Sequence, residues 1–197
     1  MNPETFRSIH GLYSEKKAVQ AAAYLCQLAG GRIDFGYLLK ELYWADRASL
    51  LRVGQPVTFD RMTVMRCGPL LSQVYDRVKA VFGRPYVPSL PELWKGVFTP
   101  QGIYYLHLQN DPGVGELSEM DMAFLRKAHR RCSVHRTFKH LVDWLHVTSP
   151  EWEDPGDTSM PLSYDELLRK RGWDQESINE CLEHLEYQAS LQKISAI

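Results

Sequence analysis

The sequence predicts a mainly α-helical protein: a single helical domain with a small antiparallel β-sheet of two to three short strands inserted between helices. Three observations lead to this prediction. Apolar residues recur at three- and four-residue spacing over most of the chain. Residues suited to helix N-caps precede several of these stretches, and stretches with strand-like alternation are few and short. We expect one domain over residues 1–197, with its core at about 14–189 and flexible tails.

The first two helices have clear start and stop signals. Ser14 is a suitable N-cap for the first helix, and the Gly30-Gly31 pair ends it. Asp34 is expected to cap the second helix and Gly54 to end it, before Pro56 forces a turn. The apolar positions of the second helix include Leu38, Leu42, Ala45 and Leu50. Because apolar residues occupy so much of its circumference, this helix is predicted to be central.

The middle of the chain contains the strand signals. Residues 57–66 are rich in β-branched residues and are predicted to form one or two short strands. The Gly68-Pro69 pair is predicted to begin a helix, since proline is tolerated in the first helical turn. The proline-rich residues 83–96 are expected to cross the surface. Residues 97–109 alternate in polarity and are expected to pair with the earlier strands.

Four further helices are predicted in the second half. Their expected N-caps are Ser118, Ser133, Ser163 and Asp174. Asp121 and Glu166 follow two of these caps at capping-box spacing.

Composition excludes several classes of protein. The values of 44% hydrophobic and 24% charged residues are typical of a globular chain. The formal net charge of −1 gives no global reason to expect nucleic acid as a partner. Residues 1–20 contain charges and no continuous apolar run, so neither a signal peptide nor a membrane anchor is predicted. The four cysteines, Cys26, Cys67, Cys132 and Cys181, are far apart, which favours reduced thiols and a cytoplasmic location.

Histidines and basic residues cluster near residues 126–140. His129, Cys132, His135 and His140 lack the second ligand pair that a zinc site requires, so no metal or cofactor is predicted. The basic residues from Arg126 to Lys139 are typical of a solvated helix face. A nucleic-acid-binding regulator that uses them remains an alternative.

Few residues suggest catalysis, and we predict that the protein is not an enzyme. A small hydrolase, the second alternative, would use Cys67 as nucleophile or Asp46 with Asp60 as a carboxylate pair. A core position is favoured for Cys67, because cysteine is often buried. Asp46 precedes Arg47, which favours a structural ion pair or cap.

Three residues are candidates for a partner-binding surface: Trp44, Arg47 and Arg66. Trp44 and Arg47 are three residues apart on the second helix, and tryptophan and arginine are enriched in binding hot spots.

The order of residues from Leu38 to Asp76 resembles the Panacea domain, the SocA-like domain of antitoxins and phage-associated proteins. The matching positions are Tyr43, Ala45, Asp46, Gly54, Pro56, Gly68, Pro69, Val74 and Tyr75. The stretch from Trp144 to Trp152 is similar to the family's second half, so the resemblance covers about Ala18 to Leu185. Arg66-Cys67 departs from the family pattern, which often has an aromatic residue before Gly-Pro, and Ser149 stands where histidine is common.

This resemblance implies a mainly helical domain with a small sheet and no catalytic residues. It implies an antitoxin that binds a cognate protein toxin, encoded beside it in a bacterium or phage. Neutralisation would proceed by occlusion of the toxin or by its presentation to a cellular protease.

Overall fold

The computed structural model describes residue 5 and residues 9–84 and 92–195. The helices are α1 (Glu15–Leu28), α2 (Phe35–Val53), α3 (Ser72–Val81), α4 (Glu92–Val97), α5 (Glu119–Cys132), α6 (Phe138–Thr148), α7 (Tyr164–Lys170) and α8 (Gln175–Ser195). The strands are β1 (Arg32–Asp34), β2 (Met62–Val64), β3 (Leu70–Leu71), β4 (Phe98–Gln101), β5 (Tyr105–Leu108) and β6 (Met160–Leu162). The mainly α-helical fold class is therefore confirmed. Of the expected flexible tails, residues 1–4, 6–8 and 196–197 lie outside the described residues, whereas Ile9 is fully buried and α8 continues to Ser195.

The strands form two small antiparallel sheets rather than one. Their orders are β1-β5-β4 and β3-β2-β6. Residues 97–109 do contain strands, β4 and β5, which pair with each other; β5 also pairs with Arg32–Asp34, and neither strand pairs with residues 62–64. The predicted pairing was wrong because three-residue strands such as β1 and β6 carry too little alternation to be recognised in the sequence.

The Gly68-Pro69 pair forms a turn, and the prediction that it begins a helix was wrong. Leu70–Leu71 pair with Met62 and Thr63, and both leucines are buried. Helix α3 begins only at Ser72, and the carboxylate of Asp60 accepts hydrogen bonds from the amides of its first turn. Burial of the leucines in the sheet therefore delays the start of this helix.

Most of the predicted helix caps are confirmed. Side-chain oxygens of Ser14, Asp34, Ser118 and Asp174 each accept a hydrogen bond from a backbone amide of the following turn. Asp121 completes the capping box with Ser118.

Two of the predicted caps differ in the structure. Ser133 is the C-cap of α5 and not the N-cap of α6. Thr137 caps α6 instead, by accepting a hydrogen bond from the His140 amide. Ser163 precedes α7 but makes no side-chain capping bond. The spacing of residues in the sequence located these helix boundaries, but it did not show which side-chain hydroxyl makes the capping hydrogen bond.

Helix α2 lies in the core, as predicted. Leu38, Leu42, Tyr43, Ala45 and Leu50 are all fully buried. Gly54 ends the helix with a φ of 76°, a left-handed conformation that favours glycine. Among the described helices, none is long and apolar enough to span a lipid bilayer.

Arg47 is buried, which corrects the expectation that it lies on a partner-binding surface. The residue is 6% exposed, and its guanidinium pairs with the Glu151 carboxylate and donates to the carbonyl of Thr148 at 2.8 Å. The Tyr43 hydroxyl donates to the same carboxylate at 2.7 Å. Helical spacing placed Arg47 near Trp44 but could not show which side of the helix faces the core.

Removing one charge of this pair should destabilise the protein strongly. We expect Arg47→Met to lower the free energy of unfolding by about 3–5 kcal/mol, because the Glu151 carboxylate then stays buried without its cation. Tyr43→Phe, which removes one hydrogen bond, should cost only about 1–3 kcal/mol. Urea unfolding measures both values.

The double variant Arg47→Met with Glu151→Leu is the control for the unpaired charge. It should recover a substantial part of the loss, because both ions are removed together. A single Arg47→Met variant that costs no more than Tyr43→Phe would contradict this account.

Candidate functional site at the Gly68 turn

A pocket of about 260 Å³ opens between the first half of α2 and the turn that joins β2 to β3. We call residues 65–69 the Gly68 turn and this cavity the Lys40 pocket. Its lining residues are Phe35, Gly36, Leu39, Lys40, Met65, Arg66, Cys67, Gly68, Leu70, Tyr75 and Phe138. Apolar side chains predominate, so the pocket is suited to a hydrophobic group.

Lys40 connects α2 to the Gly68 turn. The residue is only 3% exposed, and its ammonium group donates to the carbonyls of Gly68 and Pro69, each at 2.9 Å. Burial lowers the pKa of Lys40 to about 7. The side chain therefore satisfies two turn carbonyls that would otherwise face an apolar cavity.

The backbone conformation at position 68 favours glycine. Its φ is 88°, and a Cβ atom there would lie 3.4 Å from both the Lys40 ammonium and the His146 Nε2 atom. The imidazole of His146 stacks on Trp152, with ring centroids 3.5 Å apart. Trp152 in turn donates to the Met65 carbonyl at 3.0 Å. The turn is thus held from α2 on one side and from the α6 region on the other.

Gly36 lets α6 approach the pocket closely. A Cβ atom at this position would lie 2.7 Å from Cε2 of Phe138. The ring of Phe138 forms part of the pocket wall and is partly exposed. Glycine near the start of α2 therefore brings the pocket wall contributed by α6 into place.

The residues that match the family pattern are mainly structural. Tyr43, Ala45, Asp46, Pro56, Gly68, Pro69 and Val74 are buried, whereas Gly54 and Tyr75 are partly buried. Asp46 accepts hydrogen bonds from the amide and the hydroxyl of Thr58, at 3.0 and 2.6 Å. Burial raises the pKa of Asp46 to about 7. Of these positions, Gly68 and Tyr75 line the Lys40 pocket.

The three candidate partner-binding residues lie in different environments. Arg66 lines the mouth of the Lys40 pocket, with a side chain 71% exposed. Trp44 is partly buried, is not among the pocket-lining residues, and has the Lys127 ammonium 5.8 Å from its ring centroid. Arg47 is buried as described above. The structure therefore brings only Arg66 to the pocket.

Cys67 is exposed, contrary to the expectation of a core position. It belongs to the Gly68 turn, which projects its side chain at the pocket mouth instead of into the core. The other three cysteines, Cys26, Cys132 and Cys181, are buried and reduced.

The two carboxylates considered for catalysis have structural bonds. Asp60 accepts from the amides of Arg61, Gln73 and Val74, and burial raises its pKa to about 6. Asp46 is bonded to Thr58 as described above. Both carboxylates thus hold the chain between α2 and α3.

The histidine and basic residues of α5 and α6 are dispersed. Nδ1 of His129 lies 3.1 Å from the Glu41 carboxylate, and this hydrogen bond raises the pKa of His129. The His135 ring packs on Trp144. Within the described residues, no group of three histidine, cysteine, aspartate or glutamate side chains is placed to hold a metal ion. Arg126 donates to the hydroxyl of Tyr24 at 2.8 Å, so it is engaged within the protein.

Sequence reasoning missed two residues that build the site, Lys40 and His146. The available signal for Lys40 was its position between Leu39 and Leu42, on the apolar side of the helix. A lysine in contact with solvent would be expected on the opposite, polar side. His146 gave no such signal, because its contacts with the Gly68 turn are distant in sequence.

The protein is a mainly helical domain with an apolar pocket beside its central helix. The family model described as "Antitoxin SocA-like, Panacea domain" matches residues 38–153, which is more than half of the chain. The chain belongs to this SocA-like Panacea family, and the matched region contains most of the Lys40 pocket. Membership supports an antitoxin-type role in general, with a protein partner such as a toxin. No curated protein and no solved structure matches the chain.

The lowered pKa of Lys40 predicts a pH-dependent stability. The unfolded chain binds a proton at this lysine up to about pH 10.4, but the folded protein releases it near pH 7. Between these values the unfolded state binds more protons, so rising pH favours the folded state by at most about 1.4 kcal/mol per unit. Lys40→Met should abolish this contribution, so its stability relative to the wild type should fall as pH rises from 7 to 10.

Urea unfolding at several pH values measures the difference between the two proteins. Lys139→Met is the matched control, because the Lys139 side chain is 79% exposed. A stability difference between wild type and Lys40→Met that stays constant with pH would contradict the assignment.

Proposed function

We propose that this protein is a cytoplasmic antitoxin that binds and neutralises a cognate protein toxin and has no catalytic activity of its own. The observation that carries the proposal is an apolar pocket, open to solvent, most of which lies within the region that matches the antitoxin family. Arg66 lies at its mouth, and arginine beside a pocket is a frequent composition of binding hot spots.

The pocket offers enough apolar contact to anchor a partner. An aromatic side chain removes about 150–250 Å² of surface from water when it is buried. At about 25 cal/mol per Å² this corresponds to about 4–6 kcal/mol before the entropic cost of association is subtracted. Lys40 and Trp152 hold the Gly68 turn in the free protein, so little ordering of the binding site is needed.

Neutralisation has two possible routes in this proposal. The bound antitoxin occludes the active surface of the toxin, or it presents the toxin to a cellular protease as an adaptor. The two routes differ in stoichiometry, since occlusion requires a lasting complex and an adaptor is released after each delivery.

Co-expression with the neighbouring toxin tests the proposal. We expect growth to be restored, and for occlusion we expect the two proteins to co-purify because the apolar contact keeps dissociation slow. Rescue together with a shortened toxin half-life that depends on a host protease would assign the adaptor route. Failure of the wild-type protein, expressed and folded, to restore growth would contradict an antitoxin role for that toxin.

A further inference from the structure

We infer that the Lys40 pocket receives one aromatic side chain of the toxin, carried next to an acidic residue that pairs with Arg66 at the pocket mouth and with Arg84 beside it. This inference rests on the proposed function for the identity of the partner. It adds the surface through which binding takes place and the chemistry that the surface recognises.

The size of the pocket suits a single side chain. A cavity of about 150 Å³ holds a benzene molecule, so a cavity of about 260 Å³ admits a phenol or indole ring. Sites for drug-sized ligands and cofactors are larger, about 300–1,000 Å³. The pocket therefore matches one aromatic side chain better than a larger free ligand.

The walls of the pocket favour an aromatic ring. Phe35, Tyr75 and Phe138 contribute rings, and Met65 adds a flexible thioether. Aromatic rings gain energy from edge-to-face and offset contacts with one another, and methionine adapts to a ring edge. An aliphatic side chain would fill the same space without these contacts.

Two arginines lie near the pocket: Arg66 is in its lining, and Arg84 lies over the ring of Phe35, a lining residue. The guanidinium of Arg84 lies 5.1 Å from the ring centroid of Phe35, and no carboxylate lies within ion-pair distance of it in the described part of the chain. Among the described residues Arg66 pairs with Asp157 alone, at 3.2 Å, and the Asp157 side chain is 94% exposed. Such an exposed pair contributes little, so a partner carboxylate can replace it.

One acidic side chain, that of Asp34, lies beside Gly36 of the pocket lining. Asp34 is committed to the start of α2, where its carboxylate accepts from the Gly36 amide at 2.7 Å. An acidic residue beside the aromatic anchor therefore complements the two arginines, and it would also raise the association rate.

A nucleotide also combines an aromatic ring with negative charge, but the pocket suits it less well. The polar atoms on the edge of a base need hydrogen-bond partners when they are buried. The lining is almost entirely apolar, and Lys40 already donates to two backbone carbonyls. A protein side chain is therefore the favoured occupant, and a nucleotide is an outcome that the experiment can detect.

Cys67 provides a direct test, because it is the exposed thiol at the pocket mouth and the other three cysteines are buried. The rate of its modification by N-ethylmaleimide is measured by mass spectrometry in the free protein and in the purified complex with the toxin. We expect the rate to fall about tenfold or more in the complex, as the partner covers the mouth. An unchanged rate in a stable complex overturns the inference and leaves the proposed function intact.

Short peptides test the chemistry without the toxin. A peptide with tryptophan between two glutamates, at about 1 mM, should protect Cys67. Matched peptides with alanine for tryptophan, or lysine for glutamate, should not. No protection by the tryptophan peptide, or equal protection by all three, overturns the inference. Stronger protection by a single-stranded oligonucleotide overturns it in favour of nucleic acid.

Charge-reversal variants show whether the toxin binds at the pocket or elsewhere on the surface. Arg66→Glu with Arg84→Glu should weaken toxin binding about tenfold or more, whereas Arg52→Glu should leave it unchanged. Arg52 is exposed and lies about 18 Å along α2 from Lys40. Equal binding by both variants overturns the inference, and urea unfolding confirms that each variant is folded. If the wild-type protein binds no toxin, the proposed function fails and the peptide result alone decides the chemistry of the pocket.

Discussion

Charged side chains buried on a single helix must find partners, and this requirement fixes much of the structure around α2. Lys40, Glu41, Asp46 and Arg47 are all buried. Each bonds to a different part of the chain: the Gly68 turn, His129 of α5, Thr58 and Glu151, respectively. An unpaired charge in such a position costs several kcal/mol, so displacement of any of these segments is strongly unfavourable. Segments with little regular structure thereby acquire defined positions.

The Lys40 pocket depends on the same requirement. Lys40 occupies a wall of the pocket and holds the carbonyls of Gly68 and Pro69, while Trp152 holds Met65 from the other side. Gly68 and Pro69, which match the family pattern, thus form the turn that Lys40 and Trp152 hold in place. Arg66 and Cys67, where the sequence departs from that pattern, line the mouth of the pocket. At this turn, the residues that match the family pattern therefore build the scaffold, and the residues that depart from it lie on the surface. Such an arrangement suits a fold that presents different surface residues to different partners, since specificity resides in the site and not in the fold.

Local and long-range features differed in how well they could be predicted. The caps at Ser14, Asp34 and Ser118 and the termination at Gly54 were predictable, because each depends on hydrogen bonds or backbone conformations within a few residues. The pairing of β1 with β5 was not, because the strand contains three residues and its partner lies far along the chain. Cys67 was misplaced for a similar reason, since residue type alone favoured burial and the turn that exposes it is set by distant contacts.

The sequence by itself determined the helical class, most helix boundaries, the central position of α2 and the resemblance to the Panacea family. These features follow from periodicity, capping residues and motif order, all of which act over short distances in the chain. Only the tertiary structure decided that Arg47 is buried and Arg66 exposed, because the partner of Arg47, Glu151, is 104 residues away. It also decided the pocket, whose walls come from α2, the Gly68 turn, α3 and α6. Helical spacing relates residues to one another, but the packing of distant segments determines which face of a helix remains open to a partner.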